Sequence, residues 1–317
     1  MVPLKLKFDD DFLADEAKEL MVSKDTKKVW AVQLDLLAEF GRMCERMGLK
    51  WYADAGTLLG AVRHKGFIPW DDDIDVCMPR ADYMQLCSRA AAELRQPYFL
   101  QTYETNAGFA WGHAVLRNSD TAEIPKADLQ NGYSVRTYNQ GISLDIFPMD
   151  NIPDDASEAD DFLNGVESRL DMMRSMSALV RWRKTFTWRG MMSCHGMRMA
   201  LKYLISVLRY RCSCERALYL LAQDHDSYTQ KYNGRSTALC SPISYWPHRK
   251  KSQYYRVEWF RDTVLLDFEM LKVPAPAGYG ELLNGLYGDW HRHVIGGAEH
   301  GAKLFDVDKS YLNYQRS

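Results

Sequence analysis

Three aspartates at alternate positions have the residue type and the spacing to do chemistry together. On a β-strand successive side chains point to opposite faces, so Asp73 and Asp75 share one face, joined by Asp71 if the strand extends back. Ile74 and Val76 then point the other way, into a core. Like charges on one face of a sheet repel each other, and a cation is needed to offset them. Mg²⁺ suits this position because it binds carboxylate oxygens together with the phosphates of a substrate.

The chemistry that such a site supports is displacement at phosphorus. One or two Mg²⁺ ions, or Mn²⁺ in their place, hold the attacking and leaving oxygens and neutralise the developing charge. The residues alone leave two alternatives open, a solvated acidic turn and a calcium loop, because an isolated run of aspartates is usually one of these.

A further aspartate lies in a second apolar run. The pattern predicts a strand over Gly141–Phe147, ended by Pro148, with Asp145 near its middle. Asp145 is therefore expected to join the same metal site, with its carboxylate within about 6 Å of Asp73 or Asp75, the range over which carboxylates share a site.

A glycine-opened helix precedes the acidic run. Gly56 permits close approach of the backbone, and Thr57 is expected to cap a helix over Leu58–His64. The free N–H groups at such a helix start favour an anion such as a phosphate. Arg63 and His64 are expected to face that anion, which makes Gly56, Thr57, Arg63 and His64 the candidate donor-binding residues. A simple strand–turn–helix corner is the alternative interpretation.

With these residues in place, the sequence resembles the LicD family. The resemblance covers most of the chain from about Trp51 to Trp290, and its first block is long and specific. The segments that carry it are Ala55–Val76 followed by Met78-Pro79-Arg80 and Asp82-Tyr83, then Leu144–Asp150, and finally Leu286–Trp290 after Val273-Pro274.

The resemblance implies a fold, a reaction and a set of ligands. The fold is that of nucleotidyltransferases, and the reaction is transfer of phosphocholine from CDP-choline to a bacterial surface glycan such as teichoic acid, lipopolysaccharide or capsule. Animal relatives of the fukutin type use CDP-ribitol instead. By position, Asp71, Asp73, Asp75 and Asp145 are implied as metal ligands and catalytic residues. Two other functions stay open: transfer of a nucleoside monophosphate, and a binding paralogue without turnover.

The surrounding pattern predicts the elements that position these residues. Strands and helices alternate over the first half, which indicates an α/β (α+β) fold, a nucleotidyltransferase-like mixed sheet with flanking helices and a helical insertion. The expected division is a catalytic core over residues 1–155, a basic helical subdomain over 156–245 and a segment over 246–317 that returns to the core.

The helical subdomain is rich in arginine between Arg169 and Arg216. Such a block can lie against anionic lipid at a membrane surface, where charge reversal at Arg181, Arg183 and Lys184 is expected to weaken binding. An ordinary solvated helical face is the alternative.

Composition sets the remaining expectations. The net charge of −2 does not indicate a nucleic-acid binder, and no apolar run reaches the length of a membrane span. The N-terminus does not resemble a secretory signal, and seven scattered cysteines favour reduced thiols and a cytoplasmic location, with contact at the inner membrane face.

No standard zinc spacing is matched by Cys194, His195, Cys212, Cys214 and His225. Several aromatic residues are candidates for a cation–π box around choline, namely Trp51, Trp70, Trp111, Tyr133 and Tyr138. The alternative is that they are core residues, as most aromatic residues are.

Overall fold

A computed structural model describes residues 1–8, 12, 22–130, 138–184, 193–247, 253–294 and 302–314. The helices are α1 (Lys24–Met47), α2 (Ala55–His64), α3 (Arg80–Glu93), α4 (Lys126–Gln130), α5 (Ala156–Lys184), α6 (Cys194–Tyr210), α7 (Cys214–Thr229) and α8 (Tyr279–Tyr287). The strands are β1 (Tyr52–Ala53), β2 (Asp75–Pro79), β3 (Tyr98–Gln101), β4 (Ala114–Asn118), β5 (Ala122–Pro125), β6 (Ile142–Ile152), β7 (Leu239–Ser241), β8 (Tyr255–Arg256), β9 (Thr263–Phe268), β10 (Leu271–Pro276) and β11 (Lys303–Asp306).

The central sheet is mixed. Its strands run in the order β1-β2-β6-β4-β3, and β7 extends β6 and carries β8. The β2–β6 pair is parallel and the other pairs are antiparallel. β9 with β10 and β5 with β11 form separate two-stranded sheets. The predicted α+β class with a mixed sheet and flanking helices is confirmed, while the three-part division of the chain stays a prediction.

Helix α1 covers one face of this sheet, against β4 and β6. Apolar residues at helical spacing predict this helix from about Lys27 to Met47, with Gly48 as its stop. It begins three residues earlier because the Ser23 side chain caps it, accepting the N–H of Thr26 at 3.0 Å. It ends as predicted at Gly48, whose φ of +67° is the left-handed conformation that glycine adopts without strain. Its inner side chains, among them Phe40 and Met43, are fully buried in the main core.

The prediction that Pro148 ends its strand is wrong. β6 continues to Ile152, and Pro148 is paired with Met78 of β2. The N–H of Asp145 points to β2, where it donates to Ile74, so by alternation position 148 faces the opposite side. There β4 has already ended and β7 has not begun, because their pairing with β6 covers Ile142–Ile146 and Asp150–Ile152. The missing N–H of proline therefore costs no ladder hydrogen bond.

The helical subdomain packs around α5. α7 and α6 lie along it, and apolar side chains of the three helices form a second core that includes Leu170, Met173, Leu218 and Leu221. Within the described residues, none of the helices combines the length and the apolar character needed to cross a bilayer. Tyr133, Arg189 and the side chains of Lys184, Cys194 and His195 lie outside the described part of the chain.

Candidate active site

The acidic run forms a compact group of carboxylates. Asp71, Asp72 and Asp73 each bring one oxygen to within 4.8 Å of the others. Asp72 was not among the predicted ligands, although its position in the same run would have allowed it. Within the described residues no group that includes cysteine or histidine has comparable geometry.

Asp75 and Asp145 face each other from neighbouring strands. β2 and β6 are parallel, and their register pairs Asp75 with Asp145. The alternation of acidic and apolar residues predicts a strand centred on Asp73–Met78. β2 begins only at Asp75, so Asp73 lies just before it. The alternation holds nevertheless: Asp73 and Asp75 line one cleft, whereas Ile74 and Val76 are fully buried on the other side.

Helix α1 fixes the backbone of the acidic run. The indole N–H of Trp30 donates to the carbonyl of Asp71 at 2.9 Å, and the side-chain amide of Gln33 donates to the carbonyl of Asp72 at 2.7 Å. These bonds hold the loop without occupying its carboxylates. The fold therefore positions the carboxylates through their backbone.

Crowding shifts the proton affinities of these acids. Burial and the charge of Asp73 raise the pKa of Asp71 to about 8. Burial, together with Asp73 and Asp145, raises the pKa of Asp75 well above the usual carboxyl range. Burial also raises the pKa of Asp73. A divalent cation bound beside these carboxylates would favour their charged forms.

Asp145 differs from the other acids because basic residues surround it. Burial alone would raise its pKa, but His113, Lys303 and Arg117 outweigh burial and lower the pKa of Asp145. His113 Nε2 lies 3.8 Å from Asp145 Oδ2. Lys303, on β11, donates to Glu123 at 2.6 Å. No sequence pattern indicated His113 or Lys303, since each reaches the site from a strand or loop far from the acidic run.

The start of α2 lies beside the carboxylates. α2 begins at Ala55, three residues before the predicted Leu58, and its N-cap residue is Asp54. The prediction that Thr57 caps this helix is wrong: its buried hydroxyl accepts the N–H of Asp75 at 2.8 Å. Thr57 therefore acts as a link between α2 and β2. Its predicted contact with a donor is untested.

Arg63 and His64 lie at the other end of α2. Arg63 lines the cleft, and its Nη1 donates to the carbonyls of Trp290 and Arg292 at 3.2 Å each. Its Nε donates to His64 Nε2 at 3.0 Å. Arg63 thereby holds the late Leu286–Trp290 segment against the cleft, while the predicted binding of a donor by Arg63 and His64 stays a prediction.

The cleft has a volume of about 820 Å³ and draws its walls from distant parts of the chain. Its floor carries Asp71, Asp73 and Asp75 beside Gly56. Glu167 and Arg174 reach it from α5, so the helical subdomain contributes directly to one wall.

The aromatic residues that line the cleft are Trp70, Tyr245, Trp246, Tyr287 and Trp290. Among the candidates for a choline box that lie in the described part of the chain, Trp70 alone lines the cleft, whereas Trp51 packs on Phe40, and Trp111 and Tyr138 pack on Phe109.

Gly56 supports a direct prediction about the carboxylates. A Cβ at this position would lie 2.6 Å from Asp71 Oδ2, well inside van der Waals contact. We expect Gly56→Ala to displace that carboxylate and to lower turnover by about 100-fold, the loss that a shift of roughly 1 Å can cause. Steady-state kinetics of the purified variant measures this.

The matched control is Gly280→Ala in α8, where an added Cβ meets nothing within 4 Å. It should retain wild-type activity. Equal activities of the two variants would contradict the proposed role of the Gly56 contact.

Comparison with known proteins agrees with this arrangement. The family model described as LicD/FKTN/FKRP, nucleotidyltransferase domain, matches residues 48–172, which contain all the aspartates discussed above. The lipopolysaccharide cholinephosphotransferase LicD of Haemophilus influenzae is 26% identical over 259 residues, which cover 82% of this chain and 88% of that protein. An uncharacterized protein of Rickettsia prowazekii is 39% identical over 51 residues, 16% of this chain and 19% of that protein. One of Rickettsia typhi is 40% identical over 47 residues, 15% of each chain. The resemblance to the LicD family predicted from the sequence is thus confirmed, and residues 48–172 match the model of that family.

Proposed function

We propose that this protein transfers phosphocholine, or a related phospho-alcohol, from a CDP-activated donor to a cell-surface glycan such as teichoic acid, lipopolysaccharide or capsule, with Mg²⁺ as its cofactor. The observation that carries the proposal is the cleft in which a floor of aspartates faces arginine and aromatic side chains. The Haemophilus influenzae relative, named for cholinephosphate transfer to lipopolysaccharide, supports the same reaction. Free thiols at the described cysteines support the expected cytoplasmic location.

The donor set fits Mg²⁺. Asp71, Asp72 and Asp73 offer oxygens close enough to share one ion, and Asp75 and Asp145 are paired across β2 and β6. These carboxylates would hold the metal, which when bound neutralises phosphate charge and aligns the reacting oxygens. The oxygen ligands and the absence of sulfur in the set favour Mg²⁺ or Mn²⁺ over zinc.

The walls match the two ends of a CDP-linked donor. Arg63, Arg174 and Arg292 line the cleft and offer positive charge to a diphosphate. The aromatic residues offer their faces to a quaternary ammonium by cation–π attraction, which favours choline over an uncharged alcohol. In the reaction an acceptor hydroxyl loses its proton, its oxygen bonds to the phosphorus of phosphocholine, and the bond from that phosphorus to CMP breaks.

The test is a screen of CDP-choline, CDP-ribitol and CDP-glycerol for CMP release with Mg²⁺ and with a chelator. We expect CMP release with CDP-choline in Mg²⁺ and a mass gain of one phosphocholine on a glycan acceptor. A mass gain of one CMP on the acceptor would identify a nucleotidyltransferase instead. If no donor is consumed in any combination, the chain is a binding paralogue and the proposal is wrong.

A further inference from the structure

Helix α6 exposes a continuous apolar face. Met197, Leu201, Leu204, Ile205 and Leu208 are 54%, 59%, 54%, 53% and 68% exposed. Their spacing of three or four residues places them on one side of the helix. Single exposed apolar side chains are ordinary, but five on one face form a patch of the kind that marks an interaction surface.

The opposite face of the same helix is already used. Met199, Tyr203, Val207 and Tyr210 pack against the second core on α5 and α7. α6 is therefore apolar on two sides, and one of these contacts protein. The fold itself does not require the exposed side to be apolar, since α6 is already anchored by the other.

The charge around this face has one sign. Residues 172–214 contain nine lysines and arginines and no acidic residue, although the whole chain carries 40 basic and 42 acidic residues. At 100° per residue, Arg198, Lys202 and Arg209 lie along one border of the apolar face. All three are exposed. Such a border suits a partner that is negatively charged at its surface and apolar beneath it.

We propose that α6 lies in the plane of an anionic bilayer surface, with its exposed face among the acyl chains and its basic border among the lipid headgroups. The helix has 17 residues, a length of about 25 Å at 1.5 Å per residue, which is shorter than the hydrocarbon core of about 30 Å that a spanning helix must cross. An interfacial position satisfies both its apolar face and its charges. A second copy of the chain is a poorer occupant, because a symmetric contact through this face would bring the two basic borders together.

This surface is connected to the cleft. A groove of about 620 Å³ runs between α5 and α6, with Ile205 and Arg209 on its α6 side and Glu167 on its α5 side. Glu167 also lines the cleft of the candidate active site. If the proposed function is correct, a bilayer-bound α6 presents this groove to an acceptor that is anchored in the membrane.

The test is flotation of the full chain with vesicles of phosphatidylcholine, with and without phosphatidylglycerol. We expect binding to the anionic vesicles at low salt and its loss at high salt, because headgroup attraction is screened within a Debye length. Leu201→Asp with Leu208→Asp should abolish flotation. Arg198→Glu with Lys202→Glu should weaken the apparent affinity for these vesicles by at least about 30-fold, because two contributions of roughly 1 kcal/mol each are lost. The effect of charge reversal at Arg181, Arg183 and Lys184 stays a prediction, and Arg183 is paired with Glu215 at 3.2 Å.

The matched controls lie elsewhere on the surface. Leu265 on β9 is 65% exposed, and Arg256 on β8 is also exposed, so Leu265→Asp and Arg256→Glu should bind vesicles like the wild type. Far-ultraviolet circular dichroism and thermal melts confirm that each variant is folded. Absence of flotation at low salt, or an equal loss of flotation in the control variants, would overturn the proposal.

Sedimentation of the protein without lipid tests the other occupant. A wild-type dimer that the α6 variants convert to monomer would assign the face to self-association and would also overturn the proposal. Turnover of the CDP-linked donor is measured separately in detergent-free solution. Turnover without vesicle binding would overturn the membrane proposal alone and leave the proposed transferase activity intact.

Discussion

Asp73→Asn is expected to lower Mg²⁺-dependent transfer by about a thousandfold. The amide keeps the shape of the side chain but removes a negative charge from the group in which Asp71, Asp72 and Asp73 approach within 4.8 Å. A metal site stabilises the transition state by several kcal/mol, and about 4 kcal/mol corresponds to a factor of about a thousand in rate. The rate of CMP release at saturating Mg²⁺ measures the loss.

The same variant should be folded and at least as stable as the wild type. Burial, and after it the charges of neighbouring acids, raise the pKa of Asp71 and Asp75, which is the direction expected when carboxylates repel one another. Removing one charge relieves that repulsion. Asp160→Asn is the matched control, since Asp160 is an exposed acid on α5. Near-wild-type turnover of Asp73→Asn at saturating Mg²⁺ would refute the assignment of Asp73 to the metal site.

Arg80→Met is expected to lower the free energy of unfolding by about 3–5 kcal/mol, the cost of breaking a buried ion pair. Arg80 opens α3 and is 7% exposed. Its Nε and Nη2 donate to the two carboxylate oxygens of Asp150 at 2.7 and 2.5 Å, and its Nη1 donates to Asp226 at 2.6 Å. Asp150 is fully buried on β6, so the variant leaves its charge uncompensated. Urea unfolding followed by circular dichroism measures the change.

An exposed ion pair provides the control for Arg80. Arg46 lies 3.3 Å from Glu93 with its side chain 47% exposed, and Arg46→Met should cost less than about 1 kcal/mol. Adding Asp150→Asn to Arg80→Met should recover part of the loss, because it removes the buried charge that the first change left unpaired. Equal stability of Arg80→Met and Arg46→Met would show that the buried network contributes no more than a surface pair.

The Arg80 network also joins the two cores. Asp150 belongs to the central sheet, whereas Asp226 and Thr229, which accept from the same guanidinium, belong to α7. The network therefore connects the sheet that carries the aspartates with the helices that supply Glu167 and Arg174 to the cleft. Breaking the Arg80 network should lower activity as well as stability, because the two walls of the cleft would no longer be held in fixed positions relative to each other.

The acidic motif and its orientation were readable in the sequence because they depend on local geometry. The period of two places Asp73 and Asp75 opposite Ile74 and Val76 in any strand, and burial of the two apolar residues fixes which face is inward. The apolar spacing of α1 and its glycine stop were readable for the same reason. The two wrong predictions, that Thr57 caps its helix and that Pro148 ends its strand, also followed from local rules. The hydroxyl of Thr57 has a better partner in the N–H of Asp75, and Pro148 lies where β6 has no neighbour on its N–H side.

What the tertiary structure decided is which distant residues meet. The register of β2 against β6 places Asp75 beside Asp145, and no local pattern encodes a register between strands so far apart in the chain. His113, Lys303, Arg174 and Trp246 surround the same site from four other segments. Composition gave the basic character of the helical subdomain but not its exposed face. α6 is apolar on two sides, and only the packing of Tyr203 and its neighbours against the second core determines that the side of Leu201 is the one left uncovered.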